Sequence, residues 1–350
     1  MRNLYLEVNS LDQRGVSKYA LSEEIMMEHA AAGISAQIRC RFPEGCSVLI
    51  VCGSGNNGAD GLALARLLAG DYRISVHLPF GASSPLAQRQ RERLEAMGYK
   101  HTPIEGPYDV VVDALFGSGL SRALGPTAIE VMEKLNALDG FKIACDIPSG
   151  LHPSGMPDSY TFRADLTVTM GGLKRSLYSD AAKEVCGEIL TCDLGIGRSF
   201  YEIPSAWQLL EKSDLSLPLR TRASAHKGSY GHLAVVCGEK TGAAVIAGSA
   251  ALRFGTGLVS LISNENVSIP FELMQSHSVP STVTAVAMGM GLGCEFDDGE
   301  LETFLSNELP MVLDAGHKSV FRFDTDGTRQ GGFAVGDTTA DPVDMTVFRD

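Results

Sequence analysis

From residue 47 to 194 the chain repeats one pattern: a short, nearly continuous apolar run, a small or polar break, then a stretch with helical spacing. The apolar runs fall at 48–52, 74–79, 108–116, 142–147, 165–170 and 187–194. The run at 48–52 is unbroken by polar residues, the pattern of a strand buried on both faces, and 108–116 also reads as buried. Helical stretches follow at 59–69, 84–97 and 127–138. Residues 9–40 precede them and read as two helices. Asn9, Ser10 and Asp12 can cap the first, and Ser22 starts the second, whose Ala30, Ala31, Ala32 and Gly33 permit close packing. Strands alternating with helices predict a parallel, doubly wound sheet. A connector at 198–221 carries Pro204 and Pro218. The pattern then resumes as a strand, helix, strand unit, with the strands within 225–238 and 255–261 and the helix at 241–252. A chain of 350 residues exceeds one ordinary core, so two domains are expected.

The polar residues gather at one end of the first pattern. The run at 48–52 breaks into Gly53-Ser54-Gly55-Asn56-Asn57-Gly58, then resumes as the helix beginning Ala59-Asp60-Gly61. The glycines permit positive φ and close approach to a ligand, and a helix N-terminus there can face a phosphate. The letters fit G-x-G-x-x-G, a weak signal alone, equally served by a tight turn in which Asn tolerates a left-handed backbone. Asn56, Asn57 and Asp60 shift the balance. Two carboxamides and a carboxylate can bind sugar hydroxyls or a cation, and a plain turn needs none of them. Gly117 to Leu120, Asp146 and Ser149 also fall at or beyond strand ends, and Asp113 lies near the end of its strand. Each has a bland reading: Asp113 as a turn cap, Asp146 as acceptor for amides in the Pro-Ser-Gly bend, Ser149 as a turn residue. Together they line the edge where open parallel sheets bind ligands.

Composition narrows the partners. The hydrophobic share is 44% and the charged share 20%, which is globular. A formal net charge of −13 argues against a nucleic-acid track. The eight cysteines include no C-x-x-C and read as reduced cytosolic thiols. No signal peptide opens the chain and no apolar run reaches 18 residues, so a soluble, cytoplasmic protein without membrane contact is expected.

Four ordered motifs carry a resemblance: Cys52 to Gly61, Val112 to Leu120, Asp146-Ile147-Pro148-Ser149-Gly150-Leu151, and Ala164 to Thr169 followed by Lys174. Over about residues 9 to 197 the chain resembles the NAD(P)HX epimerases, also called the YjeF N-terminal domain. The resemblance implies a Rossmann-like three-layer α/β/α sandwich, a homodimer or higher homo-oligomer, and a substrate that is hydrated NADH or NADPH, whose R and S forms are interconverted. It implies that Asn56, Asn57, Gly58, Ala59 and Asp60 contact the hydrated cofactor. Gly117, Ser118, Gly119, Leu120, Ser121, Arg122 and Ala123 would cradle phosphate. Asp146 would reach the nicotinamide end, with Lys174 beside it in catalysis. Asn57, Asp113 and Ser149 would ligate potassium (K+). Oxygen ligands suit a hard cation, glycine amides suit a pyrophosphate, and a carboxylate held in a turn can move a proton. Ala59 stands where the family commonly has glycine, which requires a negative φ there.

The second half resembles the start of the ADP-dependent NAD(P)HX dehydratases, a ribokinase-like fold. The carriers are residues 225–238, the small-residue helix at 241–252, Met288-Gly289-Met290-Gly291-Leu292-Gly293 and Leu313-Asp314-Ala315, with Gly316 where the family has a second aspartate. Past 316 the family's His-Pro-Gly-Glu and Gly-Ser-Gly-Asp motifs are missing; Gly336-Asp337 lacks the surrounding glycine loop. The implied organisation is an epimerase domain at 1–203, a linker at 204–221, a partial, truncated ribokinase-like domain at 222–316 using ADP or ATP if active, and a divergent, poorly ordered tail at 317–350. Two other classes stay open: a nucleotide-binding or scaffold module without turnover, and an ordinary NAD(P)-dependent dehydrogenase. The pair Asp146 and Lys174 favours an enzyme. The lack of an acidic residue at the end of the 74–79 strand counts against the dehydrogenase.

Overall fold

The structure, a computed structural model, describes residues 1–119, 124–215, 219, 222–293 and 309–314, and the backbone alone of Ser319–Phe323 and Arg329–Ala334. It divides into two compact units, Met1–Asp214 and Leu215–Asp350.

The first unit is built on a six-stranded, wholly parallel sheet. In chain order the unit runs β1 (Arg2–Tyr5), α1 (Asn9–Tyr19), α2 (Glu23–Arg41), β2 (Ser47–Cys52), α3 (Asn56–Leu68), β3 (Arg73–His77), α4 (Pro85–Ala96), β4 (Val110–Ala114), α5 (Pro126–Ala137), β5 (Phe141–Cys145), β6 (Leu166–Met170), β7 (Leu173–Lys174), α6 (Lys183–Cys186), β8 (Glu188–Cys192), α7 (Arg198–Tyr201) and β9 (Trp207–Leu209). The large sheet has the order β3-β2-β4-β5-β6-β8. After β2 the chain goes to one side, and after β3 it crosses back to the other. The switch point therefore lies between β2 and β4, where such sheets open a crevice at their carboxyl ends.

Continuous apolar strands are explained by two cores, one per face. Val48, Ile50 and Cys52 face one cluster with α2, α3 and α4, while Leu49 and Val51 face a second with Val131, Met132 and Leu135 of α5. Gly61 lets α3 sit directly on the sheet, since a Cβ there would lie 2.6 Å from the Ala114 Cβ. Ser22 caps α2 by accepting the Ile25 amide, and Ser84 caps α4 ahead of Pro85. The first helix differs from its expected cap. It starts after Val8, and Asn9, Ser10 and Asp12 lie inside it; Glu7 receives the Ser10 amide instead.

A small second sheet has the order β7-β1-β9. Its strand β9 lies in the stretch 204–221, expected as linker, and pairs antiparallel with Arg2 to Leu4.

The second unit contains β10 (His232–Val236), α8 (Thr241–Phe254), β11 (Leu258–Ile262), β12 (Met274–Ser276), β13 (Ala285–Met288) and β14 (Met311–Leu313) in a parallel sheet of order β12-β11-β10-β13-β14. The strand, helix, strand reading of 232–261 is met. In the stretch expected as a poorly ordered tail, β15 (Ser319–Phe323) and β16 (Arg329–Ala334) pair antiparallel. Ala315, Gly316 and Asp337 lie outside the described residues. Among the described residues no helix is long and apolar enough to cross a membrane.

Candidate active site

The carboxyl ends of β2, β4 and β5 and the turn after β6 place four sequence-predicted groups together. Asp113 ends β4 with no exposed surface. Its Oδ2 accepts the Ser149 amide at 2.8 Å; its Oδ1 accepts the Ser149 hydroxyl at 2.7 Å and the Leu115 amide at 3.1 Å. The Ser149 Oγ in turn accepts the Phe116 amide at 3.0 Å. Burial pushes the Asp113 carboxyl up to about 6, against the pull of these donors. Among the described residues no side-chain cation answers it, so it is a buried negative charge held by amides and a hydroxyl.

Asp146 follows β5 in a left-handed backbone, φ 74°, which is rare for a residue with a Cβ. That turn swings its carboxylate back over the strand ends. Its Oδ1 receives the Lys174 ammonium at 2.5 Å and the Met170 amide at 3.2 Å, and its Oδ2 receives the Ser118 amide at 3.1 Å. Lys174 is 1% exposed and also donates to Thr169 Oγ1 at 2.9 Å and to the Met170 carbonyl. Burial raises the Asp146 carboxyl, but the Lys174 charge and hydrogen bond, with the two amides, outweigh it and hold the group below the usual range. Asp146 is therefore ionised and Lys174 is its counter-ion.

The glycine loop brings Asn57 to the same place. A Cβ on Gly117 would lie 3.2 Å from both Asn57 Oδ1 and Asp146 Oδ2. Gly117 thus keeps open the gap between the carboxamide and the carboxylate. Asn57 Nδ2 is buried with no hydrogen-bond partner among the described residues. A buried unmade donor costs about 1–3 kcal/mol, so it marks a place for an acceptor from a ligand. The glycines work differently from expectation. Gly53, Gly55 and Gly58 all avoid positive φ, and Asn56 and Asn57 are helical rather than left-handed. The requirement is close approach: a Cβ at Gly53 would stand 1.9 Å from the Leu115 carbonyl oxygen, and one at Gly58 1.8 Å from that of Gly53. Gly55, which precedes α3, has open space around it. Ala59 is buried within α3, where its methyl is accommodated.

Asp60 keeps some exposed surface, yet its carboxyl is pushed well above the usual range, by its apolar enclosure first and by Asp146 and Asp12 after that. It makes no hydrogen bond among the described residues. One raised and one depressed carboxyl on the same edge supply a proton donor and an acceptor. Asn56 is exposed at the first turn of α3. Of the expected phosphate cradle, Gly117, Ser118 and Gly119 are described, and Leu120, Ser121, Arg122 and Ala123 lie outside the described residues. The Ser118 amide is directed at Asp146.

Two residues were not anticipated. Tyr201 donates its hydroxyl to Asp12 Oδ1 at 2.7 Å, and Asp12 is held above the usual range by burial against the pull of Tyr201 and Lys174. In the sequence Asp12 reads as part of a helix cap and Tyr201 falls in the connector. The Gly171-Gly172 pair before Lys174 was the available signal, because adjacent glycines ahead of a buried lysine imply bulky neighbours.

Residues 23–176 match the family model described as YjeF-related protein N-terminus, and residues 233–324 match that described as NAD(P)H-hydrate dehydratase. The second match runs beyond Gly316, where the sequence resemblance was expected to stop. The chain is 40% identical over 336 residues to the bifunctional NAD(P)H-hydrate repair enzyme Nnr of Helicobacter pylori, covering 92% of this chain and 71% of that protein. To the enzyme of the same name from Coxiella burnetii it is 34% identical, covering 87% and 66%, and to that from Escherichia coli 30%, covering 88% and 64%. The crystal structure of yeast ynu0, YNL200c, shares the fold with a TM-score of 0.50 and 17% identity, covering 61% of this chain and 98% of that one.

Proposed function

The chain belongs to the bifunctional NAD(P)H-hydrate repair enzyme family, and from that premise we propose that its first unit interconverts the R and S forms of hydrated NADH and NADPH at the Asp146–Lys174 edge. The observation that carries this reading is the strained, buried, ionised Asp146 across Gly117 from the Asn57 carboxamide, whose Nδ2 has no hydrogen-bond partner among the described residues.

The hydrated nicotinamide carries a hydroxyl on the carbon next to the ring nitrogen. Epimerisation breaks that carbon–oxygen bond and remakes it on the other face. Protonated Asp60 gives its proton to the leaving hydroxyl, which departs as water while the ring-nitrogen lone pair forms a C=N⁺ bond. The Asp146 carboxylate stabilises that cation and takes the proton of the returning water, which adds to the opposite face. Lys174 keeps Asp146 ionised and oriented. One water is released and one is taken up per turnover, and a proton passing from Asp146 back to Asp60 through solvent restores the starting state. Asn57 Nδ2 orients the substrate. Gly55 lets it approach α3, and the 117–123 stretch receives the phosphates.

Asn57, Asp113 and Ser149 fit a potassium ion, because their oxygens suit a hard cation and Asp113 is a buried carboxylate without a cationic side chain among the described residues. Such an ion would supply positive charge to the site. For the second unit we propose a ribokinase-like domain that binds ADP or ATP. These 350 residues contain no Gly-Ser-Gly-Asp run, and we propose that they epimerise the hydrate without themselves supplying ADP-dependent dehydration. The seven described cysteines are free thiols, which supports a cytoplasmic setting, and a homo-oligomer follows from the family reading.

The decisive experiment incubates the protein with pure R or pure S hydrate, with and without ADP, and resolves the epimers by chromatography. Equilibration from either side at a rate proportional to enzyme is expected, independent of ADP. Conversion no faster than in buffer would remove the reading.

A further inference from the structure

The Asp146–Lys174 pair is aligned by a turn, and that turn is held from outside the sheet. Thr169, Met170 and Lys174 all contact one another or Asp146, and the chain between them is Gly171-Gly172. Gly171 has φ 68° and its missing Cβ would stand 2.4 Å from the Tyr201 hydroxyl oxygen. Gly172 is covered by the Tyr5 ring, 3.0 Å from where its Cβ would be. Both tyrosines are fixed at their far ends. Tyr201 donates to Asp12 of α1, and Tyr5 donates to the Ile203 carbonyl at 2.6 Å. Tyr5 also sits opposite Lys174 in the β1–β7 pairing. Asp12, Tyr5 and Tyr201 lie outside residues 23–176, the span matched by the epimerase family model.

We propose that Asp12 and Tyr201 form a positioning pair for catalysis: their hydrogen bond presses the tyrosine onto Gly171 and so sets the Lys174 ammonium on Asp146. The proposal rests on the epimerase reading of the site. Among the described residues neither side chain hydrogen-bonds to Asp146, Lys174 or Asn57. The charged groups around Asp12 are Lys174, Asp146 and Glu7, and Asp60 feels its charge in turn. Loss of the Tyr201 hydroxyl would leave the Asp12 carboxyl without its donor and the ring packed on Gly171 without its tether. Lys174 would then sample positions away from Asp146, lowering turnover while Asn57 and the glycine loop still bind the hydrate.

The test compares Tyr201→Phe and Asp12→Asn with the wild type. Each should lower kcat by about 10-fold with KM within about twofold, the split expected when alignment rather than binding is lost. In a Lys174→Gln background the same changes should cost less than about twofold, because groups acting through one residue are not additive. A second reading does not depend on turnover. Acetic anhydride labelling, mapped by mass spectrometry, should be slow at Lys174 in the wild type and at least about 10-fold faster in both variants, while the other lysines react unchanged; burial governs the access of such a reagent. Equal losses with and without Lys174, or unchanged labelling of Lys174, would overturn the proposal. A wild type inactive on the hydrates would count against the reaction alone, since the labelling result still decides the positioning role.

Discussion

The two parallel sheets use their carboxyl edges differently. In the first unit that edge buries Asp113, Asp146, Ser149 and Lys174, each with partners supplied by the next turn of chain. In the second unit the buried polar side chains among the described residues are His232 and Ser260. They bond each other at 2.9 Å, and the other His232 nitrogen meets Thr282 Oγ1 at 2.8 Å, a closed contact within the body of the sheet. Glycines differ as well. Gly53, Gly55 and Gly58 keep ordinary backbone angles and serve close packing or approach, whereas Gly289, Gly291 and Gly293 all have positive φ. Parallel topology supplies an edge in both units. A charged site needs more, namely a donor or counter-ion for each buried group, and only the first edge has them among the described residues.

The largest effects that would break this contrast lie at the ion pair. Lys174→Met leaves the Asp146 carboxylate buried without its counter-ion and should destabilise the first unit by about 3–5 kcal/mol, measured by urea unfolding. Asp146→Asn should lower epimerisation by on the order of 10²-fold while binding changes far less, the scale of losing a general acid–base group. Asp314→Asn, at the second edge, should leave epimerisation unchanged; an equal loss there would abolish the distinction.

The next effect depends on pH. The Asp113 carboxyl is raised to about 6 in the folded protein, against about 3.9 unfolded. Its folded state therefore binds the proton more tightly, and stability falls as pH rises from about 4 to about 6. The fall amounts to about 3 kcal/mol relative to Asp113→Asn, which has no charge to bury. Unfolding free energies of the two proteins in sodium buffer should show diverging slopes over that window, and potassium should reduce the divergence. Parallel slopes in both salts would remove both the buried charge and the cation site.

Glycine substitutions sharpen the contrast at smaller scale. Gly58→Ala drives a methyl into the Gly53 carbonyl, and Gly289→Ala combines φ 108° with a clash on the Asp314 carbonyl, so each should cost about 1–3 kcal/mol in its own unit. Gly55 and Gly242 have open surroundings. Gly242→Ala in α8 should stabilise by up to about 1 kcal/mol. Gly55→Ala should leave stability within about 0.5 kcal/mol and weaken hydrate binding alone, read by calorimetry.

The six strands of the main sheet were legible because each is an apolar run flanked by glycine, proline or a capped helix. That Asp113, Asp146 and Ser149 meet at one edge was legible because each lies at or just beyond the end of a neighbouring parallel strand. The small sheet was not. Its strands are two to four residues long, too short for any period, and their partners are remote in sequence. The sign of φ at Gly53 and Gly58 was also hidden, because a glycine required by a neighbouring carbonyl and one required by its own torsion look the same in a sequence. Asp146 shows the converse: its turn could be read from Pro148 and Gly150, but the left-handed aspartate could not.

The short pairing of β1 with β7 and β9 has a consequence for biosynthesis. Residues 2–5 leave the ribosome ahead of the main sheet, yet their pairing partners, Leu173–Lys174 and Trp207–Leu209, are translated after most of that sheet. The sheet around β2 and β4 can assemble while Lys174 is still inside the exit tunnel, since domains fold as units during translation. The reactive edge is therefore closed only after Trp207 to Leu209 emerge and trap the leading strand. A bulky fusion ahead of Met1, whose amine pairs with Asp214, would interfere at this closing step and leave a folded, soluble and inactive nascent product.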